Sequence, residues 1–373
     1  MSLDPTLLAT AAVQKLEPYV PGKPIAELER EYGISSSIKL ASNENPLGPG
    51  PGALAALAAS ATQLGLYPDG NGFELKQALA RKHACGIESI TLGSGSNDVL
   101  VMIAETFLEQ RCEAVYSQYS FAVYPIAVQA TGAIARIAAA LGEDTAMPLG
   151  HDLQAMAALV NANTKVVFIA NPNNPTGSWV EAAALRQFIR GVPASTIVVV
   201  DEAYFEYVDD ADFPDTSLWL AEFPNLVVTR TFSKAYGLAG LRVGYALSSP
   251  AIAGLLNRVR QPFNVNSMAL AAACGALEDH DHLRRSLQLN RAGLQQLHDG
   301  LQRLAVRSYA SLGNFVLFDC ARPAPPVYQA MLRQGVIVRP LGNYRLPNHL
   351  RVTVGTPEQN QRMLHALQTA LGS

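Results

Sequence analysis

Charge is scarce in this chain of 373 residues: 16% of it is Asp, Glu, Lys or Arg, against roughly 25% in an ordinary soluble protein. With 49% hydrophobic residues, that shortage predicts a large buried interior and excludes disorder. At ~100 to 200 residues per domain, the length allows two or three domains, or one large α/β unit with a smaller appendage. Basic clusters are missing too. The 28 Lys and Arg stand against 31 Asp and Glu, a net charge of -3, and no stretch is suited to displacing counterions from a nucleic acid. No apolar run approaches the ~18 residues that a bilayer span needs. The start MSLDPTLLAT has no basic segment followed by an apolar one, so neither a membrane nor a secretory leader is expected. The four cysteines, Cys85, Cys112, Cys274 and Cys320, form no C-x-x-C pair, which argues against a zinc site or a disulfide framework and fits a reducing cytoplasm. His280 and His282 flank Asp281, but an i, i+2 pair on a helix faces two directions, so a solvated surface is expected there and no metal.

What is present is a rhythm. Short β-branched runs alternate with helical patterns: residues 89–92 then 98–108, 114–117 then 121–130, 165–170 then 180–189, followed by the runs 197–201 and 226–231. That alternation predicts βαβ units and a mostly parallel sheet with helices on both faces. After Pro262 the pattern changes to a long helix, strand-like 315–318, a helix over 326–334, strand-like 336–339 and 350–354, and a last helix. The expected class is α/β, with a large domain over residues 45–264 and a smaller α+β domain built from residues 1–44 and 265–373.

In open parallel sheets, ligands bind beyond the carboxyl ends of the strands, and five such ends here carry reactive residues. Gly93-Ser94-Gly95-Ser96-Asn97 opens a helix, where free N–H groups suit a phosphate; a plain helix cap by Ser96 or Asn97 is the competing reading. Gln118-Tyr119-Ser120 and the run from Asn171 to Gly177 offer an aromatic ring and amides. Asp201 ends Ile-Val-Val-Val, where a bare carboxylate is costly to bury and demands a cationic partner. Of seven lysines, Lys234 alone follows a buried-looking strand and precedes a glycine-punctuated turn, which makes it a Schiff-base candidate. Arg242, eight residues on, offers a fork of donors to a phosphate. Each residue could merely finish a strand. Together, in this order, they are what pyridoxal 5'-phosphate requires: a lysine, an acid on the ring nitrogen, donors to the ring oxygen, an aromatic on the ring face and a phosphate cradle.

The motifs NPNNPTG, DEAY and TFSKAYGLAGLRVGY, in that order, resemble the fold-type I aminotransferases. KLEPYVPGKP, LASNENPLGP, LYPDGNGFELKQALA and LRVTVGTPE further resemble the histidinol-phosphate aminotransferase family, so that the similarity runs from about Tyr19 to Gly355. The resemblance implies an enzyme that moves an amino group between L-glutamate and imidazole-acetol phosphate, giving L-histidinol phosphate in histidine biosynthesis. It implies that Lys234 anchors the cofactor and shuttles the proton, that Asp201 pairs with the ring nitrogen, that Asn174 and Tyr204 bond the ring oxygen, and that Tyr119 stacks on the ring. Ser96, Asn97, Thr231, Ser233 and Arg242 would surround the phosphate. Tyr67 would reach in from the second subunit of a homodimer with shared sites. Arg351, helped by Arg339 and Tyr19 with Asn43 nearby, would take the anionic end of the substrate. The same core also serves aromatic-amino-acid aminotransferases and threonine-phosphate decarboxylases, whereas a non-catalytic ligand sensor would have no use for Lys234.

Overall fold

The computed structural model describes residues 4–372, so Met1–Leu3 of the start MSLDPTLLAT and the final Ser373 lie outside it. Seven strands form the main sheet: β1 (Ile90–Gly93), β2 (Glu113–Ser117), β3 (Ile134–Ala138), β4 (Thr164–Ala170), β5 (Ile197–Asp201), β6 (Leu226–Thr231) and β7 (Gly244–Ser248). Their order across the sheet is β1-β7-β6-β5-β4-β2-β3. Every pairing is parallel except the two that β7 makes.

Burial on both faces explains why β4, β5 and β6 each carry a run of consecutive apolar residues, Val166–Ala170, Ile197–Val200 and Leu226–Val228. Val167, Ile169, Val198, Val200, Leu226 and Val228 join the core on one face, while Val166, Phe168, Val199 and Val227 join the core on the other. Two of the seven strands were not expected. β3 is an edge strand whose Ile134 and Ile137 are exposed, so its sequence lacks the buried run that marks its neighbours. Between β6 and β7 the chain makes a glycine-punctuated turn with a short 3-10 helix at Ala239–Leu241. That segment holds no crossover helix, so β7 returns antiparallel.

A second sheet, antiparallel, is built from Arg339–Pro340, His349–Thr353, Phe315–Asp319 and Arg307–Ser308. The helices His280–Arg303, Ala324–Arg333 and Pro357–Leu371 contribute to its apolar core. The expected single strand over 336–339 is divided between two partners: Val336–Ile337 pairs in parallel with Ile38–Lys39, and Arg339–Pro340 pairs with His349–Thr353. That division ties the N-terminal segment to the second sheet, and Arg339 also donates to the Val20 carbonyl of that segment.

Two further differences concern the segment after residue 264. The helix Ser267–Glu278, which the expected boundary assigns to the smaller unit, buries Ala269, Ala272, Ala273 and Ala276 in the core of the large sheet. His282 is not a solvated surface residue. It is buried, and its Nε2 lies 3.0 Å from the carbonyl of Gly48. Among the described residues no group of His, Cys, Asp and Glu could hold a metal ion, and no helix is long and apolar enough to cross a membrane.

Candidate active site

The carboxyl ends of β1, β2, β4, β5 and β6 open on a cavity of about 420 Å³. Ser96, Asn97, Asn174, Asp201, Tyr204, Thr231, Ser233, Lys234 and Arg242 line it, and Tyr19 closes one side. The strand register accounts for much of this convergence. Asp201 pairs with both Ala170 and Thr229, and Gly244 lies opposite both Thr231 and Gly93.

Close packing shapes the anion end. A Cβ on Gly244 would come within 2.3 Å of the Ser96 nitrogen, and one on Gly95 within 2.4 Å of Arg242 Nη2. Gly95 also has φ +82°, a conformation that costs a side chain dearly. Glycine at both positions lets the start of the helix Ser96–Phe107 sit directly over β7 with Arg242 beside it. That helix start has no side-chain cap, so the reading of Ser96 or Asn97 as a plain cap is overturned. The uncapped N–H groups, the Ser233 hydroxyl 3.2 Å from Arg242 Nη1 and the guanidinium make a donor set suited to a phosphate.

At the other end, Asp201 is buried and bare of any cation in contact. Its Oδ2 accepts the Tyr124 hydroxyl at 2.9 Å and its Oδ1 accepts the Thr229 hydroxyl at 2.8 Å. Burial pushes this carboxyl up, opposed by the two hydroxyls and by the charge of Lys234. Lys234 donates from Nζ to the Ser42 carbonyl at 3.1 Å. Burial first, and the Arg351 guanidinium second, bring its ammonium down to about 7. A lysine so placed is neutral often enough near pH 7 to act as nucleophile or base. The Tyr204 phenol, pushed up to about 12 by burial, keeps its proton; it accepts from Asn43 Nδ2 at 2.8 Å.

Arg351 is buried between the two sheets. It donates from Nη2 to the Ala41 carbonyl at 2.8 Å and from Nη1 to Asn174 Oδ1. Its Nε is buried without a partner. Arg339 is buried outside the cavity lining, bonded to the Val20 carbonyl at 2.8 Å and 5.5 Å from the ring centroid of Tyr19, which does line it.

Tyr119 departs from expectation. Its side chain packs toward Leu149, Tyr309 and Leu317, and Phe121 lines the cavity in its place. Between β2 and the helix Val123–Ala130 the chain turns, and that turn brings Phe121, two positions beyond Tyr119, to the cavity. Of the aromatics at 119, 121 and 124, the turn into the helix decides which ring reaches the cavity. Tyr67 is also outside this cavity. It is exposed and stacks on Phe263 with ring centroids 4.7 Å apart.

The model of the aminotransferase class I and II family matches residues 35–367. The chain is 56% identical over 366 residues to histidinol-phosphate aminotransferase 2 of Pseudomonas aeruginosa, covering 98% of each chain. It is 51% identical to histidinol-phosphate aminotransferase 1 of Nitrosococcus oceani, over 98% of this chain and 97% of that one. The chain belongs to the class I and II aminotransferases. A crystal structure of histidinol-phosphate aminotransferase from Sinorhizobium meliloti, in complex with pyridoxal-5'-phosphate, superposes with a TM-score of 0.89 at 29% identity, covering 98% of this chain and 97% of that one. This aminotransferase therefore has the fold-type I architecture.

Proposed function

We propose that the protein uses pyridoxal 5'-phosphate to move an amino group between L-glutamate and imidazole-acetol phosphate, producing L-histidinol phosphate. The cofactor fits the chemistry of the donor set: a glycine-lined phosphate cradle at one end, a buried carboxylate without a cation at the other, and an unusually acidic lysine between them. When bound, the cofactor supplies an electron sink for the carbanion left by removal of the substrate proton.

The chain's own residues do the rest. The helix start at Ser96 and Asn97, together with Thr231, Ser233 and Arg242, holds the phosphate. Asp201 pairs with the ring nitrogen and keeps it protonated. Tyr204 and the amide of Asn174 donate to the ring oxygen; because Asn174 Oδ1 is taken by Arg351, its Nδ2 remains free to donate. Phe121 covers the ring face, the role first expected of Tyr119. Lys234 provides the covalent attachment point and, once displaced, its amine carries the proton between substrate carbon and cofactor.

The unpartnered Nε of Arg351 is the observation that carries the substrate reading. A guanidinium N–H buried without an acceptor is costly, and an anionic substrate group removes that cost. Phosphate and carboxylate both accept from a guanidinium fork, so one arginine can serve histidinol phosphate and glutamate in alternate half-reactions. Arg339, held against the ring of the cavity-lining Tyr19, adds a second guanidinium beside this anion-reading surface, and Asn43 braces Tyr204. The exposure of Tyr67 outside its own cavity supports a homodimer in which it completes the partner's site. The four unpaired cysteines support a cytoplasmic setting.

The half-reactions test this directly. Holoenzyme given histidinol phosphate without an amino acceptor should convert one equivalent per site to the aminated cofactor, and 2-oxoglutarate should reverse the change. Failure with histidinol phosphate alongside a full turnover with phenylalanine would overturn the reading in favour of an aromatic-amino-acid aminotransferase.

A further inference from the structure

Tyr124 is a fully buried tyrosine on the helix Val123–Ala130, which otherwise faces the core with Ala127 and Val128. A phenol in such a place needs an acceptor, and it finds one in the carboxylate of Asp201. Its ring is fixed by stacking on Phe168, with centroids 4.8 Å apart at an interplanar angle of 14°, so the hydroxyl has little freedom to point elsewhere. Thr229, the register partner of Asp201 on β6, donates to the other carboxylate oxygen. We propose that Tyr124 and Thr229 are a pair of positioning residues, a hydroxyl clamp that holds Asp201 ionised and oriented toward the cavity before the cofactor arrives. The inference rests on the assignment of Asp201 to the ring nitrogen.

Each carboxylate oxygen is tied by one hydroxyl from a different element, so rotation of the carboxylate about its own bond would break both bonds together. Hydrogen bonds to an ionised acceptor also favour that ionised form, and here they oppose burial, which favours the neutral acid. The titratable groups facing Asp201 are few: Tyr124 from the helix, Lys234 from the turn after β6 and Tyr204 from the turn after β5. His151 is buried, its Nε2 2.9 Å from the carbonyl of Ala170 on the neighbouring strand. The two tyrosines stay neutral, with their phenols raised by burial. Without one hydroxyl, the apo-protein takes up a proton on Asp201 more readily. Binding a cofactor that already carries its ring proton must then expel that proton, and affinity falls as pH is lowered.

The test is the dissociation constant of pyridoxal 5'-phosphate for the apo-protein, titrated by fluorescence at several pH values below neutrality. For Tyr124→Phe, which removes one oxygen and keeps the ring, the loss of affinity relative to wild type should be about tenfold or more, the size expected for a hydrogen bond to a charged group. The ratio of the two constants should rise as pH falls. Thr229→Val should behave in the same way, and Thr229→Ser, which keeps the hydroxyl, should restore binding. A purely structural contribution would give a ratio independent of pH. A ratio near one, or a pH-independent loss in both variants, overturns the clamp. Wild-type protein that fails to bind the cofactor at all overturns instead the cofactor assignment on which the clamp rests. If Tyr124→Phe does not fold, the Thr229 pair decides the matter alone.

Discussion

Lys234 combines burial, a carbonyl contact and a neighbouring guanidinium in one residue, and its chemistry follows from that environment. Its charged form is disfavoured, so the folded-state value lies below that of a free lysine. The amine is therefore protonated below about 7 and free above it. The rate at which apo-protein takes up pyridoxal 5'-phosphate should accordingly rise through that region and level off at higher pH. Borohydride reduction followed by peptide mapping should place the adduct on Lys234; an adduct on another lysine contradicts the assignment. On the proposed reading Asp201 has a different task, because its charge would matter most when the proton leaves the substrate. Replacing it by Ala removes the counter-charge of the ring nitrogen, and loss of such an electrostatic partner costs on the order of a hundredfold in rate. Turnover of Asp201→Ala close to wild type, measured with saturating cofactor, would remove Asp201 from the mechanism.

Among the elements, the ends of β5 and β6 matter most, and they are pinned from behind. Arg230 and Glu202 are buried at 1% and 0% exposure, on the face opposite Asp201, Thr229 and Thr231 because side chains alternate along a strand. Arg230 donates to Glu202 from Nε at 2.9 Å and Nη2 at 2.7 Å, and also from Nη2 to Asp215 at 2.6 Å. Glu202 in turn accepts from the backbone and hydroxyl of Thr216. Removing one partner of such a buried pair strands the other charge, so Arg230→Ala should lose about 3 to 5 kcal/mol of stability, measurable by denaturant unfolding. A loss under about 1 kcal/mol, the range of an exposed pair, would mean the strand ends are held some other way. Much of this architecture is legible in the sequence. The β-branched runs announce β2, β4, β5 and β6, and the residues that follow them meet in one cavity. The rest is not legible for physical reasons. Arg230 reads as an interruption in a strand until its acidic partners, distant in sequence, are brought to it. Tyr124 reads as one more core aromatic until its hydroxyl is seen against Asp201, and Tyr119 is separated from Phe121 only by the turn into the helix.

Across the whole molecule, the cavity lies where the two sheets meet: Lys234 and Asp201 come from the first, and Arg351 of the second bonds Asn174 in its wall. We propose that the larger unit extends through Glu278, since the helix Ser267–Glu278 belongs to its core, and that two chains share their sites through Tyr67. Mixing inactive Lys234→Ala with an inactive Tyr67 variant should restore activity, since one site of a hybrid dimer is intact. Isolated hybrids that stay dead would refute the sharing. The account's central claim is that the buried, partly unsatisfied Arg351, with Arg339 and Tyr19, selects a substrate carrying a phosphate away from its amino group. Discrimination by a buried hydrogen-bonding site can reach several powers of ten. The most direct measurement is kcat/KM of the purified enzyme for histidinol phosphate and for phenylalanine, with 2-oxoglutarate as the common acceptor. The account predicts a preference for histidinol phosphate of about a thousandfold or more, and comparable values for the two substrates would contradict it.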